Sequence, residues 1–268
     1  MKQIIIYLFV PFLFIGCKNT EQQDAIVNNV IPAPASIQYA VLKLYPHDTS
    51  SYTQGLFLHN NVLFEGTGWE GQSKLMTVDI NTGKSIKKIE LPNDYFGEGI
   101  TLMNNNIYQL TWKNHKIIIY DASTFKKTNE MDWPYEGWGL TNNGTQLIIS
   151  TGGSNLYFVN PSTMKIERTL GVSDNNGYID SINELEYVNG SIYANKYMSD
   201  LILKINPQTG NIEGKADLSN LMKESGSSYD PRTIDAGFVL NGIAYNPSKQ
   251  HFYITGKRWP FLAEIIFK

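Results

Sequence analysis

The sequence is poor in the residues that cross-link a protein or bind metal. Its 268 residues include a single cysteine, so an intramolecular disulfide is excluded. The four histidines are scattered, with neither HxxxH nor HxH spacing, and the glycines form no phosphate-binding loop. The sequence therefore supports neither a zinc site nor a Ser-His-Asp triad, and we expect no metal and no cofactor.

Charge excludes a further class of partner. The formal net charge is −3 and no run of the chain is rich in Lys or Arg, so we expect no binding to nucleic acid. Hydrophobic residues make up 42% of the chain, which is enough to bury a core.

The N-terminus has the pattern of a signal peptide. A short n-region with Lys2 precedes an almost wholly apolar run from Ile4 to Ile15, which is shorter than the roughly 20 residues that span a bilayer. We assign residues 1–16 to the signal peptide. Cys17 follows Gly16 as in a bacterial lipobox, which predicts lipid attachment at Cys17; the alternative is a lone buried cysteine after an ordinary signal.

Residues 17–36 are polar and then rich in Pro and Ala, which predicts a lipid-anchored tether. Together these segments predict an exported bacterial lipoprotein, anchored to a membrane in the periplasm or at the cell surface.

An internal repeat dominates residues 37–268. Short β-branched and apolar runs alternate with turns, and no stretch has sustained helical periodicity. Similar turns recur 42, 39 and 46 residues apart, and upstream anchors recur 44, 40, 45 and 58 residues apart. The anchors are Gly55-Leu56, Gly99-Ile100, Gly139-Leu140, Glu184-Leu185 and Gly242-Ile243.

A four-stranded unit of this length is typical of a propeller blade, and the repeat predicts an all-β, five-bladed β-propeller. The last unit is one strand short, so we expect Gln38 to Leu44 to complete it. Asp217 to Phe238 is predicted to be a loop inserted between blades four and five. A six-bladed ring and an irregular sandwich are the competing architectures.

The repeat brings diverse residues to one mouth of the central channel. Residues just before each anchor begin the innermost strands, and the neighbouring antiparallel strands end at the same mouth. Different residue types at equivalent positions favour an asymmetric small-ligand site. The candidates are Gln54, Glu98, Trp112, Trp138, Asn183, Tyr197 and Lys257.

Each candidate also has a structural interpretation. The two tryptophans could pack between blades. Gln54 and Asn183 could form hydrogen bonds with exposed strand backbone, and Glu98 and Lys257 could be solvated charges. Glu65 and Lys196 lie near the ends of the second strands of their blades, at the same mouth of the channel. We interpret them as solvated charges.

Several of these residues lie in short motifs that resemble those of a known family. In chain order, the sequence contains Tyr52-Thr53-Gln54-Gly55-Leu56, Phe96-Gly97-Glu98-Gly99-Ile100-Thr101, Gly137-Trp138-Gly139-Leu140, Val239-Leu240-Asn241-Gly242-Ile243-Ala244 and Thr255-Gly256-Lys257-Arg258-Trp259-Pro260. This series resembles the glutaminyl-peptide cyclotransferases (glutaminyl cyclases) of the plant and bacterial type, which are five-bladed propellers. The chain differs from the family pattern at Tyr197, where Trp is usual, and at Phe238, where an acid is frequent.

The resemblance implies an enzyme that cyclises the N-terminal glutamine of peptides or proteins to pyroglutamate and releases ammonia. It implies catalytic roles for Glu98 and Lys257, and substrate-binding roles for Gln54, Trp112, Trp138 and Asn183. We expect Tyr197 to form a wall of the same substrate pocket. The competing hypothesis is a membrane-tethered propeller that binds a peptide or glycan without turnover. A hydrolase or quinoprotein propeller would need a metal or cofactor motif that the sequence lacks.

Overall fold

The computed structural model describes residues 1, 3, 4 and 31–268. The predicted lipid-attachment residue Cys17 and most of the predicted signal peptide lie outside these residues. Within the described part of the chain, no helix is both long and apolar enough to span a bilayer.

Five sheets, each with four antiparallel strands, form the five blades of a β-propeller, as the repeat predicted. In blades one to four the four strands follow one another in chain order from the axis outwards. Blade one contains β3 (Thr53–His59), β4 (Val62–Thr67), β5 (Lys74–Asp79) and β6 (Lys84–Glu90). Blade two contains β7 (Gly97–Met103), β8 (Asn106–Thr111), β9 (Lys116–Asp121) and β10 (Lys127–Asp132). Blade three contains β11 (Leu140–Asn142), β12 (Leu147–Ser150), β13 (Asn155–Val159) and β14 (Ile166–Gly171).

A short hairpin, β15 (Ser173–Asp174) and β16 (Gly177–Tyr178), precedes blade four. Blade four contains β17 (Ile182–Val188), β18 (Ser191–Lys196), β19 (Leu201–Ile205) and β20 (Ile212–Asp217). Blade five contains β21 (Leu240–Asn246), β22 (His251–Gly256), β23 (Phe261–Phe267) and the early strand β2 (Tyr39–Pro46).

Strand β2 closes the ring, because it pairs antiparallel with the C-terminal β23. This confirms the prediction that the chain before blade one completes blade five. Strand β1 (Ala35–Ile37) pairs in parallel with β20 of blade four. Ala35 and Ser36, which the composition places in the tether, are therefore hydrogen-bonded to the propeller.

The core lies between the blades. Five clusters of buried side chains fill the five junctions between neighbouring blades. Strands in the middle of a blade are apolar and buried, as in β9 (KIIIYD), whereas the outer β6 (KSIKKIE) is exposed. Each fully buried Leu or Ile contributes about 1.5 to 3 kcal/mol, so these junctions stabilise the ring.

The glycine anchors let the innermost strands approach one another. A Cβ on Gly139 would lie 1.9 Å from the backbone oxygen of Asn183 in the next blade. Blade four has Glu184 at the equivalent position, and its carboxylate accepts hydrogen bonds from the amides of Leu56 (3.2 Å) and Ile243 (2.9 Å). This side chain therefore joins blades four, one and five at the axis.

The insertion between blades four and five contains a helical turn, α1 (Leu221–Glu224), and a 3₁₀ helix, Pro231–Thr233. Leu221 belongs to the core between those two blades. Arg232 forms ion pairs with Asp200 of blade four (3.2 Å) and with Asp230 (2.8 Å). These contacts hold the insertion against the ring.

Candidate active site

A cavity of about 290 Å³ opens at the mouth of the channel where the innermost strands begin. The structure brings all seven predicted site residues into its wall. The lining residues are Tyr52, Gln54, Trp69, Phe96, Glu98, Trp112, Trp138, Asn183, Tyr197 and Lys257. Ligand sites are commonly about 300 to 1,000 Å³, so this cavity suits one small group.

Glu98 is a buried acid in the wall of this cavity. It lies on β7, its side chain is 5% exposed, and one carboxylate oxygen accepts a hydrogen bond from Gln54 Nε2 (3.1 Å). Burial raises the pKa of Glu98 well above its usual value, Lys257 lowers it in part, and the Glu136 carboxylate raises it further. The carboxylate is consequently a stronger base than an exposed one.

Lys257 is a buried amine that follows β22 and contacts the same cavity. Its side chain is 3% exposed, and burial lowers its pKa to about 8, although the negative charge of Glu98 acts in the opposite direction. Nζ lies 4.8 Å from the ring centre of Tyr52 and 4.6 Å from that of Tyr197. These aromatic faces stabilise the ammonium form.

Glu98 and Lys257 do not form an ion pair, although the field of each shifts the pKa of the other. Both groups contact the cavity, so space remains between them for a bound molecule. An acid and an amine with oppositely shifted pKa values in one cavity are typical of proton-transfer sites.

A chain of side-chain amides orients Glu98. Asn241 Nδ2 donates to Gln54 Oε1 (3.2 Å) and to the backbone oxygen of Thr53 (3.0 Å), which leaves Gln54 Nε2 to donate to Glu98. Asn241 belonged to the predicted ring of mouth residues but not to the predicted site. The structure gives it a part in positioning Glu98.

Asn183 offers an acceptor to the cavity. The residue is 2% exposed, and its side-chain oxygen has no hydrogen-bond partner among the described residues. A buried acceptor without a partner is unfavourable, so this oxygen is available to a donor on a bound molecule.

Aromatic rings form the side walls. Trp138 and Tyr197 meet edge to face with ring centres 5.5 Å apart, and Phe96 packs in the same way against Trp112, also at 5.5 Å. Tyr197 therefore forms part of the aromatic wall of the cavity.

Glu136 was missed by the sequence reasoning. One of its carboxylate oxygens accepts from the indole nitrogens of both Trp112 (2.8 Å) and Trp138 (3.3 Å). Glu136 thus links the two indoles of the wall through a shared hydrogen-bond acceptor. Its position two residues before Trp138 is the signal that could have identified it.

The interpretation of Glu65 as a solvated charge is wrong. Glu65 is 1% exposed, and its carboxylate binds His47 (3.1 Å) and the Thr53 hydroxyl (2.7 Å). Lys196 is partly exposed and pairs with Asp180 (3.5 Å) at the surface. In the described residues, no cluster of three or more His, Cys, Asp or Glu side chains could hold a metal ion.

Known proteins are similar to this chain in sequence and in architecture. Residues 10–267 match the family model described as glutamine cyclotransferase. The chain is 39% identical over 230 residues to a glutaminyl-peptide cyclotransferase of Arabidopsis thaliana, across 85% of this chain and 71% of that protein. The crystal structure of Myxococcus xanthus glutaminyl cyclase matches with a TM-score of 0.80 and 32% identity, over 88% of this chain and 98% of that one. The chain therefore belongs to the glutamine cyclotransferase family, whose enzymes cyclise N-terminal glutamine to pyroglutamate.

Proposed function

We propose that the cavity between Glu98 and Lys257 is where this enzyme converts the N-terminal glutamine of a peptide or protein to pyroglutamate and releases ammonia. The observation that carries this proposal is a buried acid and a buried amine that contact one small cavity without pairing with each other.

The reaction needs no nucleophile from the protein, because the substrate carries its own. The α-amine attacks the side-chain amide carbon, a C–N bond forms and a five-membered ring closes. The bond from that carbon to the amide nitrogen then breaks, and this nitrogen leaves as ammonia after it gains a proton. The enzyme has to hold the folded conformer, exclude water and move the proton.

Glu98 binds the α-ammonium group and accepts its proton. An α-amino group has a pKa of about 7.7 to 8.0, and a base works best when its own pKa approaches the working pH. The burial that raises the pKa of Glu98 therefore brings it closer to that of the proton donor.

Lys257 acts in its protonated form. It donates a proton or a hydrogen bond to the amide at the stage where the carbonyl oxygen becomes negative and ammonia departs. A preorganised donor in a site without water is worth far more than one in bulk solvent.

The walls fix the glutamine side chain. Trp112, Trp138 and Tyr197 enclose its methylene groups, and the free Asn183 oxygen accepts from its amide. Gln54 Nε2 donates to Glu98 and holds it in place. This arrangement selects glutamine by size and by its amide donor.

Purified protein incubated with peptides that begin with Gln or Asn tests the proposal. We expect loss of ammonia, a decrease of 17 Da by mass spectrometry, from the Gln peptide alone, because cyclisation of Asn would close a strained four-membered ring. Binding of both peptides without a change in mass would instead indicate a binding propeller.

Glu136 provides a prediction about the wall. Glu136→Ala removes the acceptor for both indoles, and hydrogen bonds to charged groups contribute about 1.5 to 3 kcal/mol, so we expect KM to rise at least tenfold. Glu136→Gln keeps an acceptor but removes the charge that raises the pKa of Glu98. We expect a near-parental KM and an acidic limb of the pH profile shifted to lower pH. Steady-state kinetics across pH measure both effects, and parental behaviour of both variants would contradict this role.

We also propose that the enzyme is an exported lipoprotein, held to a membrane through Cys17. Support comes from the sequence: the chain's single cysteine follows an apolar run and a small residue, where a lipobox places the modified cysteine. Several acyl chains on one residue anchor a protein stably, whereas one chain does not.

Cys17→Ser is expected to move the enzyme from the membrane fraction to the soluble fraction without changing its specific activity. Thr20→Ser is the matched control, since it alters the tether but keeps the cysteine. Fractionation with an activity assay, together with the mass of the N-terminal peptide, measures the outcome. Membrane association of the Cys17→Ser protein at the parental level would rule out lipid attachment there.

A further inference from the structure

The side chain of Arg258 has no polar partner in the described part of the chain. Arg258 directly follows Lys257 and has a left-handed backbone (φ 60°). Its Nε is buried without a hydrogen-bond acceptor, and the guanidinium takes part in no ion pair. An arginine without an acceptor is an available site for an anion.

Two aromatic rings hold this guanidinium in place. Its central carbon lies 5.1 Å from the ring centre of Trp69 and 5.3 Å from that of Phe238. Stacking restrains the planar group but uses none of its N–H donors, which point outward in its plane. The guanidinium is thus preorganised to bind a carboxylate through two parallel hydrogen bonds.

The aromatic rings connect Arg258 to the cavity. Trp69 lines the cavity, is 37% exposed and has a left-handed backbone (φ 101°), which is unusual for a bulky residue. The ring centre of Tyr52, another lining residue, lies 5.1 Å from that of Trp69. Burial raises the pKa of Tyr52, and the charge of Arg258 is close enough to oppose this shift.

We infer that Arg258 is a subsite for a carboxylate on the second or third residue of the substrate, so that peptides beginning Gln-Glu or Gln-Asp are preferred. This inference rests on the proposed function, which places the glutamine between Glu98 and Lys257. The rest of the peptide then leaves through the mouth of the cavity, and each residue extends it by up to about 3.5 Å.

The Asp235 carboxylate does not neutralise the guanidinium. The Asp235 carboxylate accepts the amide of Gly237 (2.7 Å) and forms no ion pair with Arg258. Phe238, which contacts the guanidinium through its ring, is 7% exposed and carries no charge. A carboxylate in place of Phe238 would be positioned to neutralise Arg258 from within.

A series of amidated peptides tests the subsite, because amidation removes the C-terminal carboxylate as a competing ligand. Gln-Glu and Gln-Gln peptides are compared, and glutamate is then moved to the third position. We expect kcat/KM to be about tenfold higher for glutamate at one of these positions and the preference to weaken with added salt. Arg258→Gln and Phe238→Glu should each remove the preference, while Phe238→Tyr, which keeps the aromatic ring and adds no charge, should keep it.

Equal kcat/KM values for Glu and Gln peptides at both positions would overturn the subsite and leave the proposed function intact. Failure to cyclise any peptide would overturn both. A preference that survives in Arg258→Gln would also overturn the assignment, because the selectivity would then come from another group.

Discussion

Glu98→Gln is expected to lower kcat by about 10²- to 10⁴-fold, which is the usual contribution of a positioned general base. An amide at this position can still accept the hydrogen bond from Gln54 but cannot take a proton from the substrate. The change also removes a carboxyl group that is 5% exposed, so the variant should fold at least as stably as the parent. Turnover of a Gln-initiated peptide and thermal unfolding measure the two effects.

Glu186→Gln is the matched control for this experiment. Glu186 is also on an innermost strand, and burial raises its pKa to about 8, but it lies three residues beyond Asn183, about 10 Å along β17. It contacts a different cavity, with Thr101 and Thr141. We expect parental turnover for this variant. Parental turnover for Glu98→Gln would instead show that Glu98 is not the base.

Lys257→Met is expected to lower kcat by about 10²- to 10³-fold, because loss of one preorganised donor to a developing oxyanion costs about 2.7 to 4 kcal/mol. Methionine can keep the apolar contact with the rings of Tyr52 and Tyr197. It removes a buried charge that makes no ion pair, so the melting temperature should be unchanged or higher. An inactive but stable variant would separate a catalytic role of Lys257 from a structural one.

The pH profile supplies a second readout for Lys257. If the ammonium form is required, activity is present below its pKa of about 8 and is lost as the pH rises through that value. Arginine remains protonated across this range, so Lys257→Arg should lose the descending limb even where its maximum rate is lower. The ascending limb, which depends on Glu98 and the substrate α-amine, should remain. An unchanged descending limb would assign it to another group.

The blade repeat made most of the fold predictable. Spacing alone located the five inner strands and the one mouth at which they begin, so Gln54, Glu98 and Asn183 could be placed together without any distances. Antiparallel pairing then brought Trp112, Tyr197 and Lys257 to the same mouth, because the second strand of a blade ends where the first begins.

Partnerships between blades were not predictable in this way. A repeat predicts the position of a residue along its strand, but it does not predict which side chains meet between neighbouring blades. Glu65 therefore resembled a solvated acid, although His47, which precedes blade one, forms a buried pair with it. Glu136 was missed because it precedes blade three in a segment without strand pattern and acts on the indoles of two blades.

The pairing of β2 with β23 has a consequence for the order in which the molecule assembles. Tyr39 lies opposite Phe267, and Pro46 lies opposite Phe261, so β2, which precedes blade one, can pair only after β23 has been made. A chain in which β23 has not yet been made can build four blades but must leave the fifth open. Deletion of Phe261–Phe267, which form β23, should leave β2 without its hydrogen-bonding partner and expose an unpaired sheet edge.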